Sequence, residues 1–463
     1  MSMQKIRSVF SLAILSMAAT TVSAADLSEV YTLAQQHDAQ FRAETANYYA
    51  ARQQKPIARS ALLPQINGTA AKGSSSSKGS QLFDANGDGF RETAISIPQA
   101  VKTDTTSWSV NLRQSLYNHT YWKRLQQASA LAAQAEAQYE AAKQNLILRV
   151  AETYFNVLAA EDNLAFAEAE TRAVGQQLEQ ARQRFEVGLI AITDVKESQA
   201  QHDNALASEI QARNALDNAR EALWTLTNTE VPKLAKLGEK LVLQLPEPQD
   251  RKQWVDRALN ENLGLQAAKF AYEAARKEVA AQRSGHYPSL DLVASRSYTK
   301  TDTGNIDAGA LGILNPDPTD DTTDYVGVQL SVPIFSGGNV SSSTKRAIYQ
   351  RDAAKEQLEF TRRGTIQQTR NAYQNTLADI SRVKALKQAL VSSQAAYEAT
   401  EAGFEVGTRN SVEVLLSLRN TFAAERDYAA TRYNYLLNTL RLKQAAGNLQ
   451  VSDLYAINAW LEK

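Results

Sequence analysis

The chain is written twice, and that repetition limits its fold more than any other feature. Asp26, Ala34, Ala43, Tyr48, Ala50, Ala51, Arg52, Ser60 and Pro64 recur as Asp250, Ala258, Ala267, Tyr272, Ala274, Ala275, Arg276, Ser284 and Pro288, every pair offset by 224, as from 64 to 288. Further on, Phe185-Glu186-Val187-Gly188 recurs as Phe404-Glu405-Val406-Gly407, and Tyr154, Leu158, Val195 and Ala205 recur as Tyr373, Leu377, Val414 and Ala424, all offset by 219. Each half therefore holds the same string of elements: helix, strand, long loop, strand, very long helix, tight turn, long helix.

The first repeat is read as 25–228, with strands over 64–74 and 106–117 and long helices over 119–186 and 192–227. The second is read as 251–446, with strands over 288–299 and 324–335 and long helices over 339–405 and 411–446. A linker, 229–250, and a C-terminal segment, 447–463, interrupt the long-helix pattern with Pro232, Pro246 and Pro248 or with short amphipathic turns. Each repeat opens with a helix, from Leu27 to Leu62 and from Gln253 to Ser284, stopping where Pro64 or Pro288 disfavours α geometry in the residue before it. The long helices are rich in Ala, Gln, Glu, Lys and Arg, all good helix formers. About 65 residues at 1.5 Å each is on the order of 100 Å, beyond any ordinary globular domain. Periodic runs of that length point to coiled-coil or bundle packing.

At the N-terminus Lys5 and Arg7 precede an apolar run from Val9 to Ala19 and then Val22, Ser23 and Ala24, the order of a secretory signal, so 1–24 is read as a cleaved signal peptide. The apolar run falls short of the roughly 20 residues that a spanning helix needs, and no later stretch supplies one. Any membrane contact must then be made by strands. Lys+Arg and Asp+Glu are 50 each, or 48 against 50 with Lys5 and Arg7 removed, a balance that argues against nucleic-acid binding. The absence of cysteine rules out disulfides, thiolate metal sites and a lipid-anchored N-terminal Cys.

Strands with the right pattern are present. Val326, Val328, Leu330, Val332 and Ile334 fall on one face of 325–335, and Tyr325, Gly327, Gln329 and Ser331 on the other. Trp108, Val110, Leu112 and Leu116 alternate in the same way with Ser109, Asn111, Arg113 and Ser115, and Leu290, Leu292 and Ala294 with Ser289, Asp291 and Ser295. The segment after Pro64, through Ile66, Gly68 and Ala70, makes a weaker fourth. About nine to eleven residues with one apolar and one polar face is the transmembrane-barrel pattern, and Trp108, Tyr117, Tyr287, Tyr298, Tyr325 and Phe335 sit where its aromatic girdles belong. Half-buried soluble strands alternate identically, so a periplasmic coiled-coil structural or adaptor protein stands as the alternative.

Four strands cannot close a barrel, and an open edge in lipid leaves backbone groups unpaired at several kcal/mol each. Insertion therefore demands oligomers. Two subunits supply about eight strands, a barrel filled by its own side chains; a conducting pore calls for three or more.

At Leu63-Pro64-Gln65-Ile66, Tyr287-Pro288-Ser289-Leu290 and above all Val332-Pro333-Ile334-Phe335-Ser336-Gly337-Gly338, the sequence resembles the TolC family of outer-membrane efflux proteins. The turn segments Phe185 to Val195 and Phe404 to Val414 resemble the helix-helix turns at that family's periplasmic tip. The resemblance implies a mainly α protein with a transmembrane β-barrel, a homotrimer with 12 barrel strands and 12 tunnel helices, set in outer-membrane lipid with its helices in the periplasm. It implies an exit duct for tripartite efflux pumps and type I secretion, passively conducting drugs, small toxic molecules or proteins. The implied partners are a periplasmic adaptor, or membrane fusion, protein and an inner-membrane RND, ABC or MFS transporter, and the implied place of 229–250 and 447–463 is an equatorial belt.

Gly188 and Gly407 follow long helices, where a positive φ closes the helix and reverses the chain. The polar residues past them differ between the repeats, Thr193 and Asp194 against Arg409 and Glu413, as expected where two hairpins meet. By resemblance, Arg409 links one hairpin to its neighbour with Thr193 and Asp194 as partners, and Glu413 contributes to an acidic ring in a closed periplasmic gate. Gly188, Leu189, Gly407 and Thr408 are the implied tip-turn and adaptor-docking residues. Two departures weaken the carry-over: Leu416 stands where the family has a second acid, and Phe404 where it has a tyrosine.

His37, His119, His202 and His286 are scattered, and no nucleophile elbow or phosphate loop occurs, so neither cofactor nor catalysis is expected. Asp84, Asn86 and Asp88, with Gly89, match the opening of a calcium loop, but Ile95 stands where the bidentate Glu belongs, and a plain surface loop is the better reading. Asp302, Asp307, Asp317, Asp320, Asp321 and Asp324 make the second long loop acidic, so cations bridging lipopolysaccharide are candidate ligands of both loops.

Overall fold

The computed structural model describes residues 24–84, 94–238, 241–304, 306–307, 313–314 and 317–462. In chain order the elements are α1 (Leu27–His37), α2 (Ala39–Arg52), α3 (Gln54–Ser60), β1 (Gln65–Asp84), β2 (Ala94–Asn118), α4 (His119–Glu186), α5 (Ile192–Thr227), β3 (Lys236–Leu237), α6 (Arg251–Glu261), α7 (Leu263–Arg283), β4 (Ser289–Thr303), β5 (Ile306–Asp307), β6 (Ile313–Leu314), β7 (Thr319–Ser331), α8 (Asn339–Glu405), α9 (Ser411–Ala446), α10 (Val451–Asn458) and β8 (Leu461–Glu462). They fall into two compact units. One gathers the chain up to Glu44, Ala141–Asn262 and Thr365 onward; the other holds Thr45–Glu140 and Leu263–Gly364. Apart from Ala24, the expected signal segment lies outside the described residues. No helix among them is long and apolar enough to cross a membrane.

The second unit contains a four-stranded antiparallel sheet in the order β1-β2-β4-β7. β2 joins β4 with Asn118 opposite Ser289, and β4 joins β7 with Ser289 opposite Ser331, which brings strands from both repeats into one sheet. Register assigns the faces. Ile66, Leu112, Ala294 and Val326 share one row, and Gln65, Arg113, Val293 and Gly327 share the next, on the opposite side. Along the first face Val326, Val328 and Leu330 are 77%, 60% and 63% exposed, a continuous apolar surface of the kind a barrel turns to lipid. Trp108 stacks on Tyr298 at a ring distance of 6.2 Å near its far end, as in an aromatic girdle. The other face is polar: the Thr69 and Ser109 hydroxyls meet at 2.9 Å, and Arg113 Nη2 donates to Oδ2 of the buried Asp291 at 2.6 Å. β2 shifts register beside that pair, between Ser115 and Tyr117.

The strands differ in extent from the expectation. β1 and β2 run on through the Ser- and Thr-rich stretch, with Ser74 opposite Asp104 and Ser77 opposite Val101. A ladder of backbone bonds needs no apolar side chain, and once both faces are wet the alternation that marks a strand disappears. Asp302, Asp320, Asp321 and Asp324 accordingly lie on β4 and β7 rather than in a loop. β7 stops at Ser331, short of the expected 335, because Pro333 has no N–H to give a ladder; Gly337 and Gly338, with φ of 57° and 80°, then turn the chain into α8. Asn86 and Asp88 of the weak calcium candidate lie outside the described residues, and Asp84 ends β1.

The expected opening helices are each divided. Asp38 (ψ 114°) and Asn262 (ψ 120°) are extended and break them at equivalent positions of the two repeats. Both residue types favour capping over helix interiors. The Asp38 carboxylate accepts the Phe41 N–H at 2.9 Å and pairs with Arg149, while the Asn262 amide donates to Ala445 O at 3.0 Å.

In the first unit the long helices bury one stripe. Leu146, Val150, Tyr154 and Leu158 on α4 recur every four residues and are at most 1% exposed. Each such Leu or Val contributes about 1.5–3 kcal/mol by leaving water. Two tyrosines at equivalent places do equivalent work: Tyr154 donates to Ala235 O and Tyr373 to Gln249 O, both at 2.7 Å, so each fastens a stretch of the inter-repeat segment to a long helix. β3 in that segment pairs with β8 in the C-terminal segment, Leu237 opposite Leu461.

Gly447 closes α9 with φ 84°, donating to Gln444 O while Asn448 N donates to Lys443 O. A β-carbon there would stand 2.3 Å from Glu261 O and 2.7 Å from Asn262 N, both backbone atoms. Gly447→Ala is therefore expected to cost more than the ~1–2 kcal/mol of the left-handed conformation alone, read as a lower midpoint of helical circular dichroism on heating the detergent-solubilised protein.

Candidate functional site

Two helix-helix turns carry the residues singled out from the sequence, and their backbones are the same. In the first, Gly188 (φ 79°) donates to Phe185 O at 2.9 Å and Leu189 N to Arg184 O at 2.9 Å. In the second, Gly407 (φ 78°) donates to Phe404 O at 3.0 Å and Thr408 N to Gly403 O at 2.8 Å. This pair of bonds closes a helix over a left-handed glycine and satisfies carbonyls that the last turn leaves free.

Past the turns the two hairpins differ. α5 begins after Ala191, which has no side-chain acceptor for the first N–H groups, and Asp194 sits in its first turn. α9 begins after Asn410, whose carbonyl accepts the Glu413 N–H at 2.9 Å and whose amide donates to Glu413 Oε1 at 3.0 Å. Arg409 Nη1 reaches the other carboxylate oxygen, Oε2, at 2.8 Å. Both oxygens of Glu413 are thereby held within its own hairpin. The Arg409 and Glu413 side chains are 59% and 40% exposed, so the pair is worth only about 0.3–0.5 kcal/mol.

Within one chain, then, Arg409 and Glu413 come together, while Thr193 and Asp194 lie at the start of α5 and are not brought to them. Asn410 is absent from the expected gate residues, although it stands three before Glu413, the spacing of a helix cap. The Arg184 guanidinium lies over the Phe404 ring at 4.3 Å, so the residue standing in place of a tyrosine receives a cation on its face. No spacing rule points to that contact, because its members belong to different repeats. Leu416 is 56% exposed, and Val187, Leu189 and Val406 at the turns are 70%, 73% and 75% exposed.

Behind the second turn Val174, Leu415 and Leu418 are buried together, with Ala173, Tyr397 and Phe422 packed around them, joining α4, α8 and α9. The Tyr397 hydroxyl donates to Glu401 Oε1 at 2.8 Å, and burial first, then that bond and charge, push it from 10.0 up to about 12. Because the folded value is raised, the unfolded chain loses this proton first, and the stabilisation present below pH 10.0 is lost as pH climbs through about 12. Tyr397→Phe is expected to flatten the fall in unfolding free energy between about pH 9 and about pH 11.5 relative to the parent chain, as measured by chemical denaturation in detergent.

Comparison with known proteins gives a consistent answer. A sequence profile described as "Outer membrane efflux protein" matches residues 30–229 and 254–448, one segment in each repeat. Outer membrane protein TolC of Vibrio cholerae is 38% identical over 460 residues, 99% of each chain. Alkaline protease secretion protein AprF of Pseudomonas aeruginosa is 30% identical over 431 residues, covering 93% of this chain and 86% of that one. Among solved structures, the Campylobacter jejuni CmeC outer membrane channel matches with a TM-score of 0.72 at 17% identity, over 94% of this chain and 90% of that one, a likeness of fold.

Proposed function

This chain belongs to the outer membrane efflux protein family, and we propose that it works as a homotrimeric exit duct across the outer membrane, opened by partners docking on its helix turns. Family and fold are those of outer-membrane channels and not of enzymes, and the coiled-coil adaptor reading is not favoured. The observation that carries the trimer is the sheet: four strands, one apolar face and two unpaired edges. Three copies supply about twelve strands, enough for a barrel with a lumen. The polar face, with Asn67, Thr69, Asn111 and Arg113, then lines the conduit, and the apolar face meets lipid.

The substrates are the cargo of efflux and secretion. One relative is named for the secretion of alkaline protease, which extends the cargo from small toxic molecules to proteins. A passive duct selects little, so choice falls to an inner-membrane transporter of the RND, ABC or MFS class, joined to the duct by a periplasmic adaptor. The exposed Val187, Leu189 and Val406, beside Gly188, Gly407 and Thr408, offer that adaptor an apolar foothold at each turn.

The gate is held by weak forces. Breaking the Arg409–Glu413 pair costs so little that Arg409 can exchange it for Thr193 or Asp194 of an adjoining hairpin when three subunits assemble. A few such links in three subunits amount to several kcal/mol, and turning a population from 1:99 to 99:1 takes about 5.5 kcal/mol of differential binding, within reach of a docked adaptor. Three Glu413 carboxylates at the mouth would favour cations.

Heat-resistant trimers on an unheated detergent gel and discrete conductance in planar bilayers are the expected behaviour; a monomer soluble without detergent would refute the duct. Arg409→Ala should raise single-channel conductance and, by releasing Glu413, move the reversal potential further toward cations. Unchanged conductance and reversal potential would count against the gate assignment.

A further inference from the structure

The sheet has two free edges, β1 and β7, and they are opposite in charge. β1 carries Lys72 and Lys78 with no acid before its last residue, Asp84; β7 carries Asp320, Asp321 and Asp324 with no base. Lys72 and Lys78 lie on the face of Ile66, and Asp320 and Asp324 on the face of Val326, so both sets border the apolar surface. Asp324 has one partner within its own sheet, Arg296 on β4 at 3.5 Å, and its side chain remains 64% exposed on the side that meets lipid. With so much of it exposed, the carboxylate has room for a second cation from a strand laid beside it.

We infer that β7 of one copy docks antiparallel on β1 of the next with Asp324 set against Lys72, so that edge charge selects head-to-tail closure of the ring. The inference rests on the channel reading above and adds to it the register of the seam. At two seams within the chain the strand ends are flush, Asn118 with Ser289 and Ser289 with Ser331. The β1–β2 seam is stepped, Gln65 lying opposite Arg113, and gives the stagger that a closing barrel needs. A flush seam between copies sets Ser331 beside Gln65. Asp324 is as far from Ser331 as Lys72 is from Gln65, so the two face each other on the same side, and Asp320 falls diagonal to Lys78. Pairing like edges would oppose aspartates to aspartates or lysines to lysines, which is repulsive. Unlike edges make the heterologous contact from which rings are built.

The chain has no cysteine, so Lys72→Cys with Asp324→Cys introduces a single pair of thiols. On opposite edges of a four-stranded sheet they cannot join within one chain, whereas directly opposed residues of adjoining strands are within disulfide range. Oxidised in outer membranes and boiled in detergent without reductant, the full chain should run as covalent dimers and trimers that reductant returns to monomers. Monomers alone would overturn the register, and dimers from Asp324→Cys by itself would reveal like-edge pairing and overturn the polarity. Charge is tested in an Arg296→Gln background, which removes the base that a new lysine would face. There Lys72→Glu should speed heat dissociation of the trimer several-fold, and adding Asp324→Lys should restore it. A rate unchanged by Lys72→Glu would overturn charge selection while leaving the channel reading intact; a parent chain with neither trimers nor conductance would end both.

Discussion

A backbone N–H or C=O surrounded by hydrocarbon has no water to fall back on, and the four-stranded sheet leaves two rows of such groups without partners. At several kcal/mol for each unsatisfied group, the backbone outweighs any ion pair on the surface, where a link is worth a fraction of a kcal/mol. In the proposed trimer backbone pairing would drive assembly, and side-chain charge could only decide between ways of assembling. The same ranking separates the sheet from the helix turns. In the duct proposed above the closed sheet would have no cheap way to open, whereas a helix turn is tied by an exposed pair, Arg409 with Glu413, worth a fraction of a kcal/mol.

Much of this was legible in the residues. Two-residue alternation betrayed the strands wherever one face met lipid, and helix-forming composition betrayed the long helices. Beyond the apolar band the signal vanished: Ser74 to Ser77 and Thr103 to Thr106 pair through their backbones while both faces are wet, so nothing in the side chains announces a strand. The breaks at Asp38 and Asn262 were hidden for another reason. Each is a single capping residue inside an otherwise continuous helical pattern, and its side chain is engaged by distant groups, Arg149 and Ala445 O. The site divides likewise. Gly188 and Gly407 follow from local geometry, but Arg184 over Phe404 joins residues that no spacing relates.

Duplication normally gives twin sites, and here it gives twin backbones with unequal chemistry. Tyr154 and Tyr373 keep the same duty, each donating to a carbonyl of the inter-repeat segment. The helix starts have diverged: Asn410 caps α9, a contribution of about 1 kcal/mol, and α5 has only Ala191. One hairpin is thus braced by a side-chain cap at its second helix and its twin is not.

Around Gly188 and Gly407 nothing stands within 4 Å of where a β-carbon would be. The glycine is thus required at each reversal for its positive φ and not for lack of room. The side chains of Val187, Leu189 and Val406 beside these glycines are 70–75% exposed, so their chemistry can change without touching the bend.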